Sequence, residues 1–260
     1  MRRLQRVAAA VLVALALTAC APDTPIEVDP TATSVGEVTG EGSAMPDVTH
    51  SVNVDDHIST IATVGGMTID VYDAAGGTVT RTLNARDLLT VPDQTPFVFH
   101  VQENDGDWLL VDLPIQPNGS TGWIRASDVT LSYTDYWIEI SLSEYNLKVW
   151  KGATLVMETT VGVGRADRPT PGGGYYLREV LQLPDPNTVY GPYAYGLSGY
   201  QPVLDSFNGG QPIIGIHGTN NADSFGKDVS SGCIRLPNDQ ITKLVLEINP
   251  PLGTPVTISG

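Results

Sequence analysis

Short apolar runs with a two-residue period, each closed by a turn signal, dominate this 260-residue sequence and leave little room for helices. Thr68-Ile69-Asp70-Val71-Tyr72 is followed by Gly76-Gly77, and Pro96 to Val101 by Asn104-Asp105-Gly106. Trp108-Leu109-Leu110-Val111 is followed by Pro117-Asn118-Gly119. Alternation sends one set of side chains to each face of a strand, so this spacing predicts a small antiparallel barrel or sandwich over about 57–131. From Tyr136 the pattern strengthens. Trp137 to Leu142 and Asn146 to Trp150 alternate across a Ser143-Glu144-Tyr145 bend, and Thr154 to Val161 follows Lys151-Gly152. Three such strands make a meander with one buried face. Pro169-Thr170-Pro171-Gly172-Gly173-Gly174 then imposes irregular backbone. One helix is expected near Asn238, with Asn238 as N-cap and Ile241, Leu244, Val245 and Ile248 on one face.

The first twenty residues have a different character. Arg2, Arg3 and Arg6 precede an uncharged apolar run from Val7 to Leu17, a signal-peptide layout too short for a permanent membrane span. Leu17-Thr18-Ala19-Cys20 resembles the bacterial lipobox, which implies a diacylglyceryl group on Cys20 after cleavage and an extracytoplasmic, membrane-anchored lipoprotein. Residues 21–56 contain no Lys or Arg and are rich in Pro, Thr, Ser, Gly, Asp and Glu, so they should form a flexible acidic tether. His50 and His57, at its end, read as solvated. Without the three leading arginines the formal charge moves from −15 to −18, 11 basic against 29 acidic residues, which argues against nucleic acid as a partner.

Two cysteines occur, and if Cys20 carries lipid, Cys233 is the sole free thiol of an exported chain. A thiol attacks carbonyl carbon as thiolate, and a histidine is the natural base. His217 is the one histidine after residue 100, sixteen positions before Cys233. Ile213-Ile214-Gly215-Ile216 is a short apolar strand ending at His217-Gly218, and Gly232 permits the close approach that could aim backbone N–H groups at an oxyanion. Residue types alone leave a second reading open, with Cys233 a core cysteine and His217 a hydrogen-bonded structural histidine. Four histidines and two cysteines make no zinc-ligand spacing, and no G-x-G-x-x-G opens a helix, so no metal or organic cofactor is expected.

His217-Gly218-Thr219-Asn220-Asn221 and Gly226-Lys227-Asp228-Val229-Ser230-Ser231-Gly232-Cys233-Ile234-Arg235-Leu236-Pro237-Asn238 resemble the active-site segment of bacterial L,D-transpeptidases. The likeness continues through Gly162-Val163-Gly164, Thr170-Pro171-Gly172-Gly173, Tyr190-Gly191-Pro192-Tyr193-Ala194 and Gly253-Thr254-Pro255-Val256. Many members carry histidine where Ser231 stands. The resemblance implies a β-sandwich-like catalytic domain over 134–259, with one or two short helices. It also implies a two-step acyl transfer on peptidoglycan stem peptides that gives 3→3 cross-links. Cys233 would be the nucleophile, His217 the proton acceptor and donor, the Gly218 carbonyl the group that orients His217, and Gly232 a backbone oxyanion donor. Arg235, Ser231 and Tyr193 would bind substrate, and carbapenem-type β-lactams would acylate Cys233. Asp107 to Val111 and Gly122 to Val129 resemble the Src-homology-3-like domains attached to bacterial cell-wall enzymes. Trp108 and Trp123 there are expected to be packing residues rather than a ligand groove. The chain is expected to act as a monomer. Two rival functions stand beside transpeptidation: an L,D-carboxypeptidase that trims tetrapeptide stems, and a non-catalytic wall-binding lipoprotein.

Overall fold

The structure, a computed structural model, describes residues 57–260 except Asn208, together with the backbone of the strand Thr33–Ser34. The expected signal peptide, the expected lipidation site Cys20, His50 and all but two residues of the expected tether lie outside the described residues. Thr33 and Ser34 pair with Gln182 and Leu181.

The described residues are mainly β. The first sheet has seven antiparallel strands in the order Val79–Asn84, Thr68–Tyr72, Thr121–Arg125, Trp108–Asp112, Val98–Asn104, Ser59–Val64, Val129–Thr134. Its inward residues follow the two-residue period: Leu109 and Val111 on one strand, Ile69 and Val71 on another, with Ala62, Phe99 and Ile124 fully buried between them. Trp108 and Trp123 lie outside the core. Both are half-buried on the outer face, where Trp108 meets Tyr72 edge-on at 4.8 Å and the Arg125 guanidinium lies 5.1 Å above its ring. His57 is not simply solvated. It stacks on Trp137 at 4.7 Å, and Trp137 stacks on its cross-strand neighbour Trp150 at 5.2 Å.

The second sheet begins with the expected meander, Tyr136–Ser141, Asn146–Lys151 and Thr154–Thr160. Its path runs from Thr154–Thr160 through the other two to Pro255–Ser259, Gly173–Gln182, Tyr193–Tyr200, Ile213–Thr219 and Ile234–Pro237. The ten-residue strand Gly173–Gln182 is shared. Its first four residues pair with Pro255–Ile258, while Leu177 to Gln182 pair with Tyr193–Leu197. One strand thus carries the sheet from one layer to the other, giving a sandwich around Ile138, Leu147, Val149, Leu177, Leu197, Ile216, Ile234 and Val256. Two pairings of this sheet are parallel, Pro255–Ser259 with Tyr136–Ser141 and Ile213–Thr219 with Ile234–Pro237, and a separate two-stranded sheet pairs Val163–Gly164 with Asp228–Ser230, also in parallel. A helix closes one end, α over Asn238–Lys243 and π over Leu244–Ile248, with Ile241, Leu244 and Val245 buried. Asn238 begins this helix rather than capping it. Pro237 holds the cap position, and the Asn238 side chain donates to Pro186 O.

The two sheets meet over a built interface. Ile61 and Val98 of the first pack on Tyr176 of the second. The Asn118 carboxamide accepts from Tyr200 N–H and donates to Tyr200 O, both at 2.8 Å, and Tyr200 Oη donates to Pro114 O at 2.5 Å. Thr90 N–H donates to Glu179 Oε2 at 2.7 Å, and Glu179 pairs with Arg178 at 2.8 Å where both side chains are almost fully buried.

Candidate active site

The segment 213–219 enters the site as a strand interior. Ile214 and Ile216 point into the sandwich core, which turns Gly215 and His217 to the opposite face. In the parallel pairing with Ile234–Pro237, Ile216 lies beside Ile234 and His217 beside Arg235, so Cys233 stands at the mouth of that strand pair. His217, Cys233, Arg235, Ser230, Ser231 and Tyr190 line one cavity of about 450 Å³ including its open mouth. Gln201, Leu204, Phe207 and Pro212 form another of its walls. Sixteen residues of sequence separation therefore close into a single site.

His217 is buried, and its Nδ1 lies 2.6 Å from Gly218 O. A carbonyl only accepts, so Nδ1 carries the proton and the Nε2 lone pair is left to act as a base. Gly218 is required at that place: a Cβ there would collide with Asn238 Oδ1 and lie 3.1 Å from Gly191 Cα. Tyr190 sits against the imidazole at 5.0 Å between ring centres. Burial is the main cause that lowers the His217 pKa to about 4. The Gly218 bond opposes that shift and the Arg235 charge adds to it. Cys233 is half-buried, and burial pushes its thiol above the ordinary value against the Gly215 backbone and the Arg235 charge, which favour thiolate. The resting pair is therefore neutral imidazole and neutral thiol, not an ion pair.

The Cys233 loop is tied from within. Ser230 Oγ donates to Cys233 O at 2.6 Å and accepts from Gly232 N–H at 3.1 Å. The Gly232 N–H named above as an oxyanion donor is thus committed to Ser230 in this state, whereas the Cys233 N–H has no protein acceptor among the described residues. Gly232 has φ +116°, a conformation L side chains rarely adopt. Its open side is filled by Gln201, a buried residue whose Nε2 donates to Pro169 O at 2.8 Å and Ser231 O at 3.2 Å. Gln201 follows Tyr200, the residue clamped by Asn118, so the first sheet reaches the Cys233 loop through two adjacent residues.

Of the residues singled out from sequence, Cys233, His217, Ser231 and Arg235 converge on the cavity and Gly218 and Gly232 frame it. Tyr193 starts the strand Tyr193–Tyr200 and is not among the lining residues; Tyr190, three positions earlier, is. Arg235 donates to Ser224 Oγ at 3.5 Å and keeps a buried Nε without a partner. Gln201 carried no sequence signal, because a lone glutamine between Tyr200 and Pro202 reads as an ordinary turn residue.

Three outcomes follow from this geometry. Replacing Gln201 by alanine removes the two hydrogen bonds through which its Nε2 ties Ser231 O of the Ser231-Gly232 turn to Pro169 O. It is expected to lower stability by about 1–3 kcal/mol and to slow any Cys233 chemistry about tenfold through kcat rather than KM. Urea unfolding and single-turnover rates measure the two effects. The depressed His217 pKa stabilises the fold fully above about pH 6.5, and that stability is lost as pH falls toward 4, with a span of roughly 3 kcal/mol. His217→Asn should flatten this limb of the stability profile. Alkylation of Cys233 by iodoacetamide should be slow at pH 7 and keep rising past pH 9; a plateau below pH 7 would contradict the neutral pair.

With that geometry in place, the likeness to known proteins is informative. Residues 135–258 match the L,D-transpeptidase catalytic domain. The same region is 34% identical over 124 residues to a provisionally named L,D-transpeptidase, YkuD, of Bacillus licheniformis, covering 48% of this chain and 66% of that relative. It is 32% identical to the provisionally named YkuD of Bacillus subtilis, with the same coverage. The chain thus spans just under two thirds of the length of the curated relatives it matches. Among solved structures, L,D-transpeptidase 3 of Mycobacterium tuberculosis superposes with a TM-score of 0.40 at 16% identity, covering 54% of this chain and 74% of that one. His217, Cys233, Ser231 and Arg235 all fall within the L,D-transpeptidase-like segment, and the first sheet lies wholly outside it.

Proposed function

We propose that this protein is a peptidoglycan L,D-transpeptidase that forms 3→3 cross-links through a thioester on Cys233. The observation that carries the reading is the His217 base, fixed in the right tautomer by Gly218 O, lining one cavity with the chain's half-buried thiol. Cys233 Sγ attacks the carbonyl that precedes the terminal D-alanine of a tetrapeptide stem while Nε2 of His217 takes the thiol proton. The oxyanion is met by the Cys233 N–H, and the Gly232 N–H can join it if its bond to Ser230 gives way. Collapse breaks the C–N bond, His217 returns the proton to the departing amine, and D-alanine leaves. The side-chain amine of a diamino acid on a second stem then attacks the thioester. His217 takes its proton and returns it to the sulfur, which restores the thiol.

The buried setting suits this cycle. A neutral imidazole is ready to accept a proton at any pH above about 5, and an unionised thiol resists oxidation outside the cell until substrate arrives. Work outside the cytoplasm, with Cys20 lipidated and residues 21–56 as tether, places the domain over newly made wall. Among the described residues no helix is long and apolar enough to cross a membrane.

Incubation of the protein with a disaccharide-tetrapeptide, followed by mass spectrometry, tests the reading. A dimer lighter by one alanine is the expected product. Tripeptide monomer alone would mean that water replaces the acceptor amine and the enzyme trims stems; unchanged substrate would favour a wall-binding role.

A further inference from the structure

Eleven Lys and Arg residues lie at or beyond residue 57, and three of them, Arg165, Arg168 and Arg235, surround the Cys233 loop. In a chain with 29 acidic residues that concentration is not what a solvating surface produces. Arg235 belongs to the cavity wall. Arg165 and Arg168 come from the turn after Val163–Gly164, which is fastened to the nucleophile loop by Arg165 N–H donating to Ser230 O at 3.0 Å. Both guanidinium groups donate to the same hydroxyl: Arg165 Nη1 lies 3.2 Å and Arg168 Nη1 3.4 Å from Ser231 Oγ.

Two like charges held around one oxygen repel each other, so an anion placed between them is favoured. One counter-charge is present, since Asp167 reaches Arg165 Nε at 2.8 Å and Arg168 Nε at 4.0 Å. One positive charge is left over. The Nη2 edge of each arginine has no protein acceptor among the described residues, and the side chains are 33% and 38% exposed, so the donors face accessible space. A hydroxyl that accepts from both arginines still has its own O–H to give. Three donors with a net positive charge converge beside a residue that lines the cavity, which is the arrangement a carboxylate takes.

We propose that Arg165, Arg168 and Ser231 form a carboxylate subsite at the mouth of the Cys233 cavity, which takes the free carboxylate of a stem peptide. The proposal rests on the transpeptidase reading and adds to it the group by which substrate is recognised. The reach is right for the donor. The carboxylate of a terminal residue lies three bonds, about 4 Å, from the carbonyl under attack, and Ser231 is two residues, at most about 7 Å of chain, from Cys233. Arg235, further in, is left to bias the charge at Cys233 and His217.

The test compares tetrapeptide donors ending in a free carboxylate and in a carboxamide, with the full-length protein and its Arg165→Ala/Arg168→Ala variant. Thioester on Cys233 and release of alanine or alaninamide are followed by mass spectrometry. The unmodified protein is expected to favour the acid about tenfold in kcat/KM, chiefly through KM. The double variant should lose most of that preference, and Arg165→Lys/Arg168→Lys should keep part of it. A second arm amidates the carboxylate of the acceptor instead and follows the transfer step. A preference that appears and is lost only there assigns the subsite to the acceptor strand. Equal use of acid and amide by the unmodified protein in both arms, or a preference that survives in the double variant, overturns the subsite while leaving the thioester chemistry intact. Absence of any thioester with the unmodified protein overturns both.

Discussion

Replacing Cys233 by alanine is expected to abolish release of D-alanine from a tetrapeptide stem, a loss of at least about 10³-fold, with little change in the unfolding midpoint. The size of the effect follows from the role: a covalent intermediate cannot form without the sulfur, and what remains is binding and whatever water can do in the cavity. The small effect on stability follows from the setting. Cys233 is half-buried on the wall of an open cavity, so trimming one atom leaves no closed void. A carbapenem-type β-lactam should add its mass to Cys233 of the unmodified protein and not to the variant. His217→Asn should cost nearly as much as loss of the thiol, because the two act as a unit and their losses do not add. Retention of more than a tenth of the activity in Cys233→Ala would remove the thioester from consideration.

The second large effect concerns the fold. Arg178 and Glu179 are neighbours on the shared strand, both buried, where the pairing with Tyr193–Tyr200 slips between Leu177 and Glu179. Glu179 accepts from Arg178 through Oε1 and from Thr90 N–H through Oε2, while Arg178 also donates to Tyr200 Oη at 3.2 Å. Arg178→Met would strand a carboxylate among apolar groups with one donor left. The expected cost is about 3–5 kcal/mol, read from urea unfolding. Removing both charges together as Arg178→Met/Glu179→Gln should cost clearly less than the single change, since no bare charge then remains buried. Equal costs for single and double variants would mean that the pair contributes through packing rather than charge. Tyr200 Oη also donates to Pro114 O, so the loss of Arg178 should be felt at the contact between the two sheets.

The alternation of apolar residues along Trp137–Leu142 and Asn146–Trp150 gives a meander because nearest-neighbour periodicity alone decides which face is buried. The spacing of turn signals predicts a first antiparallel domain for the same reason. The proposed chemistry is local too: a thiol beside Gly232 and a histidine at the end of an apolar strand suggest their proposed roles by residue type, and their likeness to L,D-transpeptidases is carried by short contiguous motifs. What depends on burial or on partners distant in sequence was not readable. Trp108 and Trp123, apolar by type, lie on an outer face because the register of their strands turns Leu109, Val111 and Ile124 inward. His57 finds a ring to stack on only when Trp137 is folded beneath it. Gln201 and Asn118 are 83 positions apart and become one connection to the nucleophile loop through Tyr200. Arg165 and Arg168 meet Ser231 across more than sixty residues. The protonation state of the site belongs to this second group. The sequence supplies a histidine and a thiol, but the desolvation that leaves both neutral at rest arises only when the strands Ile213–Thr219 and Ile234–Pro237 are joined by Tyr190, Gln201, Leu204, Phe207 and Pro212 around them.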